Sequence, residues 1–544
     1  MRTKLKYFLL YLICFSSLTS CGQRKTKTDR ADSLRQERDQ TVAGNFSDQS
    51  KIVFDSLKID VFFKKFALLR PYEQQVKIFY RKRNFAYAWF EQGRLIEHAN
   101  NLANRMLNLE SDGLYKAVPY QTALDALINE SDGGDRKKAP SITLELILTA
   151  QYFLFAKVAW QGMNDSVSQS EKWFLPRKRA DYDSYLDSLL KSPAISPPSN
   201  EPVYRQYELL RAYLRKYRSI EAKKKWLSIA IPKIMPLPGD TVVSVIQVKK
   251  LLALLGDFQG DTLNPIYDPE LSTALRRFQQ RHGLEVTGTL DKTTYQQLNI
   301  PLKSRIKQIL VNMERSRWLP IVADDDYLAV NIPEFKLHVY HADSLLWSCK
   351  VVVGKTVYPT TVFSGKVQYI VFSPYWNVPQ SIVRKEIVPG MKKESDYLNT
   401  HDMEITGYQD GLPKVRQKPG PMNSLGLVKF MFPNTYDIYL HDTPSKSFFD
   451  QSSRAFSHGC IRVMEPLKLA NFLLDKDARW DSVKVVQAMH AGKERYVTLN
   501  RKVPVYIAYF TAFIDREGLL NFRKDIYNLD SPLAAMILAG KGPY

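Results

Sequence analysis

"AFSHGCIRV", residues 455–463, places Cys460 two positions after His458 with only Gly459 between them. The 544-residue chain has four cysteines, Cys14, Cys21, Cys349 and Cys460. A cysteine in this setting is a buried apolar filler, half of a disulfide, a metal ligand or a nucleophile. Upstream, "YDIYLH" (436–441) reads as an apolar strand that ends on His441, and a Ser/Phe/Asp loop separates it from Cys460. Downstream, "EPLKLANFLL" (465–474) has the spacing of a helix. Alternating apolar and polar residues in "YLAVNIPEFKLHVYHADSLLWSCKVVVGK" (327–355), "VQYIVFSPYWNVP" (367–379) and "GLVKFMFPNTYDIYLHDTP" (426–444) predict strands. The stretch therefore belongs to a β-rich domain with a helix after the cysteine motif.

Cysteine nucleophiles need a base within hydrogen-bond reach and backbone donors for an oxyanion. A histidine at a strand end and a cysteine after a glycine can converge in that way, since Gly459 leaves the backbone open to a substrate carbonyl. A free thiol is largely protonated at neutral pH, so the pairing has to raise its thiolate fraction. Zinc is the rival chemistry, with Cys460, His441 and His458 as candidate ligands. No fourth ligand stands out. Cys349 lies in the apolar strand "LLWSCKVVVGK" and is read as a buried strand residue; a Cys349–Cys460 disulfide would consume the thiol. With so few cysteines a disulfide scaffold is excluded. From the residues alone, nucleophile, metal ligand and inert core all remain open for Cys460.

The N-terminus "MRTKLKYFLLYLICFSSLTSCG" has a charged start, a short apolar core and a small-residue end, the three parts of a secretory signal. Its apolar run is shorter than the roughly 20 residues that span a bilayer. No other run approaches that length. Residues 21–50 are polar and charged, a composition that cannot offset its ordering entropy, and are read as a tether. The formal charge of +21 is read as a basic surface meeting an anionic wall or membrane, not nucleic acid. Residues 51–234 carry apolar residues at helical spacing, as in "LIEHANNLANRMLNLESDGLY" (95–115) and "SITLELILTAQYFLFAKVAWQGM" (141–163), interrupted by the Pro/Ser-rich "SPAISPPSNEPVY" (192–204) and closed by the turn "MPLPGD" (235–240). No reactive motif occurs there, and a helical scaffold is expected. Residues 240–300 predict three helices, two of them opened by Asp268-Pro269 and Asp291.

Three resemblances then organise the chain. "LTSC" before Gly22 resembles the lipobox of bacterial lipoproteins, which implies cleavage before Cys21, so that residues 1–20 are a signal peptide and Cys21 carries lipid. "FQQRHGL…TG" (278–288) within residues 240–300 resembles the three-helix peptidoglycan-binding domain; His282 in it is read as a packing residue. "HDTPSKSFFDQSSRAFSHGCIRV" (441–463) resembles the signature of the L,D-transpeptidase catalytic domain. "VVVGK", "SPYWNVPQSI", "RQKPGPMNSLGLVKFMFPN" and "IYLHDTP" agree with it across residues 325–488. One departure is "TTVF" (360–363), where such proteins often have Thr-Pro-x-Phe; a changed local turn is expected.

The resemblance implies a multidomain α+β protein: helical scaffold, peptidoglycan-binding module, and a β-sandwich catalytic domain with a capping insertion at about 380–424, followed by a C-terminal region at 489–544. It implies that Cys460 attacks the third residue of a tetrapeptide stem and expels the terminal D-alanine. His441 is then the base. Gly459, Ser457, His458 and Tyr439 support the loop and oxyanion. Arg462 is either a salt bridge within the loop or a contact to a stem-peptide carboxylate, and Trp376 and Asn423 are further candidates for substrate contact. No cofactor or metal is implied. Hydrolysis of the same thioester, or a non-enzymatic wall anchor, are the alternatives. The expected partners are peptidoglycan and, through the lipid, a membrane, with the protein in the cell envelope facing the periplasm. The long insertion, with Lys385, Lys392, Lys393, Lys414, Arg416 and Lys418, is read as a lid suited to an acidic peptide.

Overall fold

The computed structural model describes residues 52–540, apart from 111, 133–138, 178–179, 193–200, 224–225, 227, 320–324 and 343. The signal segment, Cys21, the tether and most of the Pro/Ser-rich stretch lie outside the described residues.

The N-terminal helices wrap around α1 (Ile142–Phe155), which is apolar on all sides and buried from Leu144 onward. Ser141 starts it by accepting the Leu144 N–H. Its one carboxylate, Glu145, accepts the Ala88 N–H at 2.5 Å, the Tyr80 hydroxyl at 2.6 Å and the Trp89 N–H at 3.1 Å. Burial still pushes that carboxyl up to about 7. By length and composition the helical stretch Ile142–Ser170, of mean hydropathy 1.4, is long and apolar enough to cross a membrane, which corrects the expectation that no run beyond the N-terminus is. Inside the protein it is the scaffold's core, with 83% of its apolar window buried.

Next come α2 (Val243–Leu255), α3 (Pro269–Arg281) and α4 (Lys292–Leu298). Asp268 and Asp291 cap the last two by accepting the N–H groups of Leu271 at 2.8 Å and Thr294 at 2.6 Å. His282 is buried; its ring stacks on Phe278 at 3.9 Å, and its Nδ1 lies 2.7 Å from the Phe278 carbonyl. It is a packing residue, and Phe522 from the C-terminal region flanks it. α5 (Leu302–Arg317) ties the units together. Its buried Glu314 accepts the Met163 N–H of the scaffold at 2.6 Å and the Trp318 indole N–H at 3.0 Å.

Among the described residues the catalytic sheet has ten strands, eight of which form its closed circuit: β1 (Asp326–Asn331), β2 (Lys336–His341), β3 (Ser344–Gly354), β4 (Val362–Phe372), β5 (Val428–Met431), β6 (Leu440–His441), β7 (Ile461–Val463) and β8 (Arg495–Ala508). The pairing runs β4–β5–β6–β7–β3–β2–β1–β8 and returns from β8 to β4, so the two walls of the sandwich join at their edges. Closure pairs most of the sheet's edges, and β5 covers β4 only at residues 369–372, which leaves the start of β4 open to a further strand. Period-2 alternation points Leu328, Val330, Leu337, Val339, Cys349, Val351 and Val353 into the core. β8, from the C-terminal region, pairs with both β1 and β4 and completes the circuit. The scaffold also adds a strand of its own: Trp173 and Phe174 pair in parallel with Val362 and Phe363.

Residues 376–417 leave the sheet between β4 and β5. Trp376–Asn377, Met403–Gln409 and Leu412–Gln417 form a three-stranded sheet, and short helical turns cover it. Val378, Ile382, Val383, Ile387, Met403 and Val415 make a core separate from the main one, with Trp376 packed against it.

Candidate active site

β6 and β7 run parallel and side by side, with Leu440 opposite Ile461 and His441 opposite Arg462. Leu440 and Ile461 are fully buried and face the core. The strand alternation then sets His441 and Arg462 on the opposite face, with Tyr439 and Cys460, one step outside the paired residues, on that same face. The Ile461 N–H to Tyr439 carbonyl bond, 3.1 Å, fixes this register next to the cysteine. Residues nineteen positions apart in sequence come onto one face because a parallel pair requires the chain to loop back between its strands.

His441 is buried, and its Nδ1 lies 2.5 Å from the Asp442 carbonyl oxygen. A carbonyl only accepts, so Nδ1 carries the proton and Nε2 holds the lone pair. Burial, and then the charge of Arg462, push the imidazole down to about 3, so it is neutral at any ordinary pH. Burial likewise pushes the Cys460 thiol up to about 11, against the opposing pull of Tyr439 and Arg462. The resting pair is thiol and neutral imidazole. The thiol points to the Asp437 carbonyl at 3.5 Å. Catalytic hydrogen bonds commonly tighten only once substrate is bound.

The loop is built to present Cys460. Gly459 has φ of +117°, a region in which L side chains are strained, and this rather than lack of space accounts for the glycine. Ser457 is buried; its Oγ accepts the Gly459 N–H at 3.1 Å and donates to the Cys460 carbonyl at 2.6 Å. That bond commits the Gly459 N–H. The Cys460 N–H has no backbone partner among the described residues and is the donor left for an oxyanion. The Thr360 hydroxyl holds the Gly459 carbonyl at 2.7 Å. Tyr527 holds this clasp in turn, accepting the Thr360 N–H at 3.1 Å and donating to the Gly354 carbonyl at 2.6 Å. In "TTVF", Thr360 thus buttresses the nucleophile loop.

Arg462 has no carboxylate partner among the described residues, so the intraloop salt bridge is not formed. Its buried Nε lacks a hydrogen-bond partner, and its guanidinium lies 5.5 Å from the Phe448 ring centroid. Asn423 is buried and committed: its amide N–H groups reach the Pro374, Gln417 and Lys418 carbonyls, and its Oδ1 accepts the Leu425 N–H. It clasps the root of the insertion. Trp376 belongs to the insertion's own core. Among the basic residues of the insertion, Arg416 pairs with Glu404 through Nε at 3.0 Å, and Lys418 lies 3.9 Å from the same carboxylate. Cys349 and Cys460 are both free, and Cys349 is buried with its thiol pushed up to about 11 by burial. Among the described residues no three His, Cys, Asp or Glu side chains are grouped to hold a metal.

Thr360, Asp437, Asp442 and Tyr527 escaped the reading of the sequence. Only Asp442 left a local trace, as a charge directly after an apolar strand. It is buried, accepts the Leu427 N–H at 2.9 Å and pairs with Lys446 at 2.5 Å, which fixes the carbonyl that orients His441.

The chain also resembles known proteins. The L,D-transpeptidase catalytic domain matches residues 325–488, a scaffold domain residues 74–214, and a "Putative peptidoglycan binding domain" residues 242–298. A protein of Haemophilus influenzae named "Putative L,D-transpeptidase" is 30% identical over 240 residues, covering 41% of this chain and 48% of its own length. The chain therefore spans about half of that relative. Among solved structures, an L,D-transpeptidase from Stackebrandtia nassauensis is 15% identical, covering 51% of this chain and 97% of its own, with a TM-score of 0.22. One from Mycobacterium smegmatis is 12% identical, covering 35% and 61%, with a TM-score of 0.20. The transpeptidase LdtMt1 in complex with imipenem is 13% identical, covering 35% and 61%, with a TM-score of 0.18.

Proposed function

We propose that this chain, a multidomain protein carrying an L,D-transpeptidase catalytic domain beside scaffold and peptidoglycan-binding domains, forms peptidoglycan crosslinks through a thioester on Cys460. The observation that carries this reading is the His441–Cys460 arrangement, with Nδ1 committed to the Asp442 carbonyl and Nε2 left as base on the face that bears the thiol.

In the proposed reaction Cys460 Sγ attacks the carbonyl carbon of the third stem residue while its proton passes to His441 Nε2. The Cys460 N–H, with the Tyr439 hydroxyl, takes the developing oxyanion. The carbon–nitrogen bond breaks and D-alanine leaves with the proton from His441. An acceptor amine then attacks the thioester carbonyl and gives its proton to Nε2; the carbon–sulfur bond breaks, and Sγ leaves with the proton from Nε2, which restores the thiol and the neutral imidazole. The thioester conserves the acyl group, so the residues of this chain suffice for each step. Arg462, beside Cys460 and with no carboxylate partner among the described residues, suits a carboxylate of the stem peptide. Ser457 and Gly459 hold the loop, and His458 shapes it.

Muropeptide mass spectrometry tests the reading. Purified protein incubated with tetrapeptide-bearing sacculi should yield dimers linked from the third residue of the donor stem. Tripeptides alone would mean that water is the acceptor and the protein is an L,D-carboxypeptidase; no change in either would defeat both.

The envelope location is part of the proposal. Cys21 carries lipid, and the protein faces the periplasm. Metabolic labelling with a fatty acid should mark the wild type and not Cys21→Ala, and an unlabelled wild type removes the anchor.

A further inference from the structure

The insertion touches the nucleophile loop through a short π-helical turn, Val383–Ile387. Its end residues, Val383 and Ile387, are buried in the insertion's core, and the three between them, Arg384, Lys385 and Glu386, are exposed. Pro389 has no N–H to offer the Lys385 carbonyl, which removes an α-helical bond and favours the wider turn at this point. The turn directs two side chains at the loop. Glu386 Oε1 lies 3.2 Å from His458 Nε2. Lys385 donates to the Tyr358 hydroxyl and lies 5.1 Å from the centroid of the same ring. The Tyr358 ring is itself 5.0 Å from the His458 ring.

His458 is separated from Cys460 by Gly459 alone. The insertion has its own apolar core and is rooted through the polar Asn423 clasp. The contacts recorded between its turn and the nucleophile loop are the Glu386–His458 pair and, through the Tyr358 ring, Lys385. At 3.2 Å the Glu386 carboxylate is within reach of a charge-assisted bond from the imidazole. The charged and titratable groups facing His458 are Glu386 on the insertion, Lys355 and Tyr358 after β3, and Arg462 on β7. Glu386 is the only anion among them.

We propose that Glu386 is a positioning residue for the nucleophile: by holding His458 it couples closure of the insertion to the orientation of the Gly459–Cys460 backbone, and so favours the amine over water as the acceptor. The proposal rests on the transpeptidase reading. Closure orders the acceptor and excludes water in the same event that aims the oxyanion donor.

The test uses the full protein with imipenem as acylating probe, and a tetrapeptide stem with an amine acceptor for turnover. Intact mass gives the acylation rate, and product analysis gives the ratio of transfer to hydrolysis. A single partly exposed hydrogen bond corresponds to a factor of roughly 2 to 10. Glu386→Ala should lower the transfer-to-hydrolysis ratio by that factor. Glu386→Gln keeps an acceptor oxygen and should restore most of it. His458→Ala should lower the ratio as well, and the double variant should be no worse than His458→Ala. A melting temperature equal to wild type separates positioning from unfolding. A Glu386→Ala ratio equal to wild type, or additive losses in the double variant, overturns the proposal while imipenem still acylates the wild type. A wild type that imipenem does not acylate at all overturns the transpeptidase reading, and this proposal with it.

Discussion

Cys460→Ala is expected to end crosslinking and to abolish acylation by imipenem, with the fold unchanged. The thiol is the nucleophile of the proposed reaction, and alanine has nothing to offer in its place. The substitution leaves the loop's hydrogen bonds intact, because Ser457 binds the Cys460 carbonyl and Thr360 binds the Gly459 carbonyl, both main-chain groups. Wild-type protein incubated with imipenem should gain one adduct in its intact mass, and peptide mapping should place it on Cys460. Cys349 is the internal control: it is buried among strand residues with a thiol pushed up to about 11, and should stay unmodified in both proteins. Equal labelling of wild type and Cys460→Ala would remove Cys460 from the mechanism.

His441→Ala should slow acylation by roughly 10² to 10⁴, the range for loss of a general base. Its pH profile is the sharper readout. With the imidazole pushed down to about 3, His441 in the wild type is neutral throughout pH 5 to 9, so it imposes no acid limb there. The Cys460 thiol, pushed up to about 11, is protonated over the same window, and the proton leaves as the bond to carbon forms. The wild-type rate should therefore be nearly flat. Without the base only the thiolate reacts, and its fraction rises tenfold per pH unit until the thiol's own pKa. The variant should show that slope from pH 6 to 9. A wild-type profile that itself climbs tenfold per unit would mean that His441 takes no proton, and a flat profile in the variant would assign the base to another group.

Much of the site was legible because its chemistry is contiguous. Ser457, His458, Gly459 and Cys460 lie in one short run, and part of what they do is local: Ser457 binds Gly459 and Cys460, and the φ of +117° at residue 459 calls for glycine. Strand alternation in 327–355 and the aspartates before α3 and α4 are local signals of the same kind, set by side-chain period and by the unpaired N–H groups of a helix start. His441 could be found because a reactive residue at the end of an apolar strand stands out against its surroundings.

What only the tertiary structure decided are contacts between residues far apart in the chain, which have no period to betray them. The tautomer of His441 depends on a carbonyl that Asp442 holds in place through Leu427 and Lys446. Asn423 and Arg416 read as substrate groups and are committed to the insertion's root and to Glu404. Among the described residues Arg462 lacks the carboxylate that a loop salt bridge needs. Trp173 of the scaffold extends β4, β8 of the C-terminal region closes the sheet, and Tyr527 supports Gly459 through Thr360. Glu386 meets His458 across 72 residues of sequence. A sequence displays the donors and acceptors, while which of them meet depends on how closed sheet, scaffold and insertion pack, and burial then sets the protonation of the pair that reacts.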